Sequence, residues 1–224
     1  YPLFILYNKA TIPDRKQHQK NYAKVLKSLV EGCKILQKNK CKFIAIPCNT
    51  AHFWYSDIKK KINIPILNMP ELVYKSASKN CELSSKIGLL ATQTTIKTNI
   101  YDKIFKKKFN LIVPNKSLQV KHVNKSIKYV KMGKILEAEK ILKPAVNYLL
   151  KMNCKKIILG CTELPIAIFA YKSFKKAKLS KTFLDPNFIL AEASMQKYKR
   201  AKKKKNFYFL FFSIYSLHHK IRKF

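Results

Sequence analysis

The feature that most limits what this chain can fold into is an internal repeat. Cys41-Lys-Phe-Ile-Ala-Ile-Pro-Cys48-Asn-Thr50 parallels Cys154-Lys-Lys-Ile-Ile-Leu-Gly-Cys161-Thr-Glu163, and both pairs of cysteines stand 113 residues apart (154 − 41 and 161 − 48). Each copy follows a segment of helical period with a short apolar run that ends in Cys and a small polar turn. The pattern predicts two similar α/β halves, each presenting a thiol at the carboxyl end of a buried strand, the edge where open α/β sheets bind ligands. A helix starting after each Cys would aim its positive end at the sulfur and lower the thiol pKa.

The rest of the chain agrees with an α/β fold of mostly parallel sheets, because short apolar runs alternate with longer segments of period 3.6. Strands are expected at Leu3–Tyr7, Lys42–Pro47, Ile64–Asn68, Lys86–Ala91, Phe109–Val113 and Lys156–Gly160. Helices are expected at Gln17–Lys38, Ala51–Lys61, Glu71–Lys79, Thr94–Lys107, Ser117–Met132, Lys134–Met152 and Pro186–Lys199. The predicted architecture is two pseudo-symmetric Rossmann-like halves with the active site in the cleft between them. Residues 1–83 with 183–201 make the first half, 84–182 the second, and 202–224 a poorly ordered basic and apolar tail. The chain opens with Tyr1 rather than Met, in an apolar run, as an interior fragment would.

Composition narrows the function. A net charge of +36, from 47 basic and 11 acidic residues, first suggests a nucleic-acid binder. The basic residues are nearly all Lys, however, with Arg only at Arg15, Arg200 and Arg222, and Lys does not form the planar forks that read bases and phosphates. Scattered Lys beside much Asn and Ile is what an AT-rich genome produces, so no specific nucleic-acid partner is expected. Six cysteines with no CxxC pair and no secretory signal suit reduced thiols in a cytoplasm. The apolar run Phe207–Leu217 is about half the ~20 residues of a spanning helix, so no transmembrane segment is expected. Cys48, His52 and Cys161 lack an evident fourth ligand, so no metal is expected either.

The segments Ile46-Pro-Cys48-Asn-Thr-Ala-His52 and Leu159-Gly-Cys161-Thr-Glu-Leu-Pro165 together resemble the aspartate/glutamate racemase superfamily. Ile12-Pro-Asp-Arg15 and Leu184-Asp-Pro-Asn-Phe-Ile-Leu-Ala191 are similar to its aspartate racemase branch, and Glu163 stands where glutamate racemases typically carry His. The likeness runs from Tyr1 to about Lys199. It implies racemisation of a small acidic amino acid, aspartate first, with glutamate, hydantoin or another small acid as the alternative, by a homodimer without a cofactor. Cys48 and Cys161 would be the catalytic thiols, one a thiolate base and the other a thiol acid, exchanging roles with the mirror-image substrate.

Asn49, Thr50 and Thr162 would hydrogen-bond the substrate carboxylate or amine, a role compatible with helix capping. Arg15 would grip the side-chain carboxylate bidentately, with Lys131 a second candidate. Glu163 would orient a thiol or the substrate ammonium, and His52 would tune the thiolate or pack in the first helical turn. One part of the family pattern has no counterpart here: an initial strand leading into a Gly-Gly-Met turn. The resemblance therefore implies a gap in the first sheet and in the pocket wall. An inactive remnant, or a basic fragment on nucleic acid or anionic membrane, is the reading from another class.

Overall fold

A computed structural model describes residues 3–15, 19–169, 181–203 and 209–213. Its contacts divide the described residues into two compact units, one drawing on residues up to Lys75 and from Pro186 to Ser213, the other on Ser76–Asp185. Each holds a four-stranded parallel sheet.

The first unit's sheet contains β1 (Phe4–Asn8), β2 (Ile44–Ala45), β3 (Ile66–Leu67) and β8 (Phe209–Ser213), in the order β1-β8-β2-β3. Helix α1 (Tyr22–Lys38) covers it because Val25, Leu29, Cys33 and Leu36 recur on one face and are buried against Ile44, Ile46, Trp54 and Ile58. The beginning of the helix expected from Gln17 lies outside the described residues. The segment after β2 is a 3-10 helix, Thr50–Trp54, running into α2 (Tyr55–Lys59), rather than one α-helix. α3 (Met69–Asn80) follows β3.

Of the tail expected at 202–224, residues 204–208 and 214–224 lie outside the described residues; the described ones join the fold, and the gap expected in this sheet is filled. Helix α10 (Pro186–Lys203) extends into that region, and β8 lies parallel between β1 and β2, with Phe4 opposite Phe209 and Ala45 opposite Phe211. An unfilled slot would leave two rows of backbone donors and acceptors without partners. A short apolar segment with no Pro satisfies both.

The second unit's sheet contains β4 (Lys86–Ala91), β5 (Asn110–Ile112), β6 (Lys156–Gly160) and β7 (Phe183–Leu184), in the order β5-β4-β6-β7. Its helices are α4 (Gln93–Lys97), α5 (Asp102–Phe105), α6 (Lys116–Leu118), α7 (Asn124–Lys131), α8 (Ile135–Lys151) and α9 (Leu164–Phe169). A π-helical turn, Gln119–Val123, joins α6 to α7. Leu90, Ile157 and Leu159 of the sheet pack with Val123, Ile127, Leu142, Val146 and Leu149.

The 113-residue repeat is structural as well as sequential. α1 and α8 end in the same motif, in which Lys40 and Asn153 take left-handed φ of 60°. Lys40 N–H donates to Gln37 and Cys41 N–H to Leu36; Asn153 N–H donates to Leu150 and Cys154 N–H to Leu149. These are the paired bonds of a Schellman cap, whose following residue packs back on the helix. Cys41 and Cys154 occupy that position and are buried, so each is a small apolar plug that turns the chain into its strand.

Candidate active site

In the first unit, Cys48 follows β2 by three residues and its N–H donates to the Ile46 carbonyl at 2.8 Å. In the second, Cys161 directly follows β6 and its N–H donates to the Leu159 carbonyl, also at 2.8 Å. The two thiols thus leave equivalent strands through equivalent turns. Cys48 is half-buried, whereas Cys161 is buried.

The turn at Cys161 depends on Gly160. A Cβ there would come 3.0 Å from the Ala91 Cβ and 3.2 Å from the Leu90 carbonyl oxygen, both closer than ordinary contact. Beyond it, Glu163 gathers the neighbouring groups. The Cys161 thiol donates to its Oε2 at 2.9 Å, the Thr162 hydroxyl donates to the same oxygen at 2.9 Å, and the Lys131 ammonium lies 3.4 Å from Oε1. Burial pushes the Cys161 thiol well above its ordinary pKa, and the Glu163 charge and hydrogen bond push it further. Burial would also raise the Glu163 carboxyl, but the Cys161 hydrogen bond, the Lys131 charge and the Thr162 hydroxyl outweigh it and hold Glu163 below its ordinary value. Cys161 is therefore kept protonated beside an ionised carboxylate. The expected lowering by a helix start is overridden here, since α9 begins only at Leu164 and the carboxylate is in direct contact.

In the first unit, Asn49 and Thr50 are buried beside Cys48 at the start of the 3-10 helix. Arg15 lies in the loop after β1, half-buried, with Nη1 donating to the Pro13 carbonyl at 3.3 Å. The structure thus brings Cys161, Thr162, Glu163 and Lys131 into one cluster, and strings Cys48, Asn49 and Thr50 along one turn.

Two residues have more to do than their sequence context suggested. His52 bonds backbone rather than sulfur: its Nδ1 lies 2.9 Å from the Cys48 carbonyl oxygen, and its Nε2 accepts from the Met69 N–H at 3.1 Å. Gln119, on the π-helical turn, donates from Nε2 to the Ala91 carbonyl at 2.9 Å and to Asn124 Oδ1 at 2.9 Å. It fixes the carboxyl end of β4, whose Ala91 pairs with Gly160 beside Cys161. The sequence signal was a polar residue in an apolar stripe, for Gln119 leads the series Val123, Ile127, Val130.

Among the described residues no cluster of His, Cys, Asp or Glu could hold a metal ion, and no helix is long and apolar enough to cross a membrane.

Comparison with known proteins places this geometry in a family. The chain is 27% identical over 164 residues to the broad-specificity amino-acid racemase of Bacillus subtilis (strain 168), covering 73% of this chain and 70% of that protein. It is 30% identical over 134 residues to the glutamate racemase of Streptococcus mutans, spanning about half (48%) of that protein's length. Among solved structures, the Picrophilus torridus aspartate racemase superposes with a TM-score of 0.71 at 27% identity, over 86% of this chain and 78% of that one. The family model described as Asp/Glu/hydantoin racemase matches residues 1–193. The chain belongs to this family of racemases, isomerases that work without pyridoxal phosphate.

Proposed function

We propose that the chain racemises an acidic amino acid, aspartate first, with Cys48 and Cys161 as the two proton carriers and no cofactor. The observation that supports this reading is the equivalence of the two thiols: one offset, the same helix cap before each strand, the same turn at each sulfur. Inversion at an α-carbon needs a base on one face and an acid on the other. Cys161, held as a thiol by burial and by Glu163, is the acid of the resting state. Cys48 begins as the thiolate and removes the α-proton; the resulting carbanion takes a proton from Cys161. Afterwards Cys48 is the thiol and Cys161 the thiolate, ready for the other enantiomer.

Glu163 serves this exchange by accepting the Cys161 hydrogen bond, while Lys131 balances its charge. Arg15 takes the side-chain carboxylate, and Asn49, Thr50 and Thr162 take the α-carboxylate or amine. The name of the Picrophilus relative supports aspartate. That of the Bacillus relative supports a wider range of amino acids, which is the second reading.

The test is α-proton exchange and change of optical rotation in deuterated water, with L- and D-aspartate and no added cofactor. Both enantiomers are expected to gain one deuterium and interconvert. Cys48→Ser and Cys161→Ser should each abolish interconversion, while leaving slow exchange with one enantiomer. Full racemisation by either variant would remove the two-thiol assignment, and faster turnover of glutamate or neutral amino acids would move the substrate.

A further inference from the structure

His52 sits among backbone groups in an arrangement that favours one protonation state. Its Nε2 lies 3.1 Å from the Met69 nitrogen, whose N–H can only donate, and farther, 3.5 Å, from the Leu67 carbonyl oxygen, so the shorter contact calls for a lone pair on Nε2. Its Nδ1 faces the Cys48 carbonyl oxygen, which can only accept, so Nδ1 must carry the hydrogen. The opposite tautomer exchanges both bonds for one longer contact with the Leu67 carbonyl oxygen, and the imidazolium exchanges the Met69 bond for that contact. Burial lowers the His52 pKa, which favours the same neutral form. The ring is also held on its face, because Tyr55 stacks on it at 6.1 Å and 15°, with its own hydroxyl donating to the Ile66 carbonyl at 3.2 Å.

The groups that His52 joins are informative. The Cys48 carbonyl belongs to the peptide that follows the thiol. Met69 is the first residue of α3, immediately after β3, and Ala45 of β2 pairs with Leu67 of β3. His52 therefore ties the thiol-bearing turn at the end of one strand to the helix start at the end of its neighbour. Around this turn β2 pairs with β3 over two residues and with β8 at Ala45, and the helix after Cys48 opens as a 3-10 turn.

We infer that His52 is a positioning residue for Cys48: as the neutral Nδ1–H tautomer it clamps the Cys48 carbonyl to the Met69 amide and so fixes where the thiol stands. The inference rests on the reading of Cys48 as a proton carrier, and its role is geometric rather than acid–base. A displacement of about 1 Å at a reacting group can cost on the order of a hundredfold in rate. The expected signature is accordingly a fall in kcat with little change in KM.

Three measurements on the full chain test it. Long-range proton–nitrogen correlation spectra of the ¹⁵N-labelled protein should show His52 as the neutral Nδ1–H tautomer at pH 7; an Nε2–H or charged ring would overturn the clamp. His52→Phe, which keeps a ring but no hydrogen bonds, should lower kcat about 10- to 100-fold with KM within roughly threefold. It should also change the alkylation rate of Cys48 and leave that of Cys161 as it was. His52→Gln, whose amide can restore one of the two bonds, should recover part of the loss. It carries the comparison if the Phe variant does not fold. Wild-type kcat in the variants, or equal effects on the two cysteines, would reduce His52 to a packing residue. Failure of the parent reading looks different, because Cys48→Ser would then racemise while the tautomer remained Nδ1–H.

Discussion

At Cys161 two charges and a thiol are close enough that changing one changes the others. Burial first, and then the Glu163 carboxylate, raise the thiol pKa while Lys131 opposes them, so removing the carboxylate leaves burial alone against the cation and lowers the pKa. Glu163→Gln should therefore make Cys161 react faster with iodoacetamide at pH 8, with the pH–rate profile displaced to lower pH, while racemisation slows because the acid is less firmly protonated. A Cys161 profile that does not move would mean that burial alone sets this thiol. Arg15 is open to a sharper comparison. Arg15→Lys keeps the charge but loses the fork, so turnover of aspartate should fall more than turnover of alanine, by about tenfold or more. Equal losses in kcat/KM for both substrates would take Arg15 out of the side-chain site.

The helix caps make a prediction about α1 and α8. A left-handed residue with a Cβ costs about 1–2 kcal/mol, which Gly avoids and Asn partly avoids. Lys40→Gly should stabilise the chain by about 1 kcal/mol in urea denaturation, and Asn153→Gly by less. Destabilisation at Lys40 would show that its side chain supports the cap. These elements also show what the sequence could and could not disclose. β4 and β6 were legible to the residue, because each is a continuous run of buried apolar residues flanked by polar ones. β2 and β3 were overread, since only two residues of each apolar run pair with a neighbour. β7, two residues long, carries no period to read, and β8 was taken for a tail because pairing between residues 4 and 209 leaves no local trace. In the site, the two thiols were visible through the repeat. The contacts of His52 with Met69 and of Gln119 with Ala91 were not, because each joins segments separated by 17 and 28 residues.

For the molecule as a whole, β8 is the element whose removal is most telling. Among the described residues, β1 pairs with no strand except β8. A chain ending at Lys203 should thus lose stability in the first unit while the second unit keeps its sheet. Trp54, the single tryptophan, is fully buried in the first unit and reports it directly. Its fluorescence transition is expected at lower urea in the shortened chain, with much of the helical circular dichroism surviving beyond it. An unchanged midpoint would show that β8 contributes nothing to the fold.

The place of β8 also has a temporal meaning. A ribosome releases β1, β2 and β3 early, but 142 residues separate Leu67 from Phe209 (209 − 67), and the whole sheet of the second unit is made in that interval. At translation rates of about 5–20 residues per second, the first sheet waits roughly 7–30 s for the strand that belongs in its middle. The second unit needs nothing from that last strand for its own sheet, so it can be complete first. The half of the chain that is synthesised first is the half whose sheet closes last, and during that wait its apolar strand edges need protection from other nascent chains.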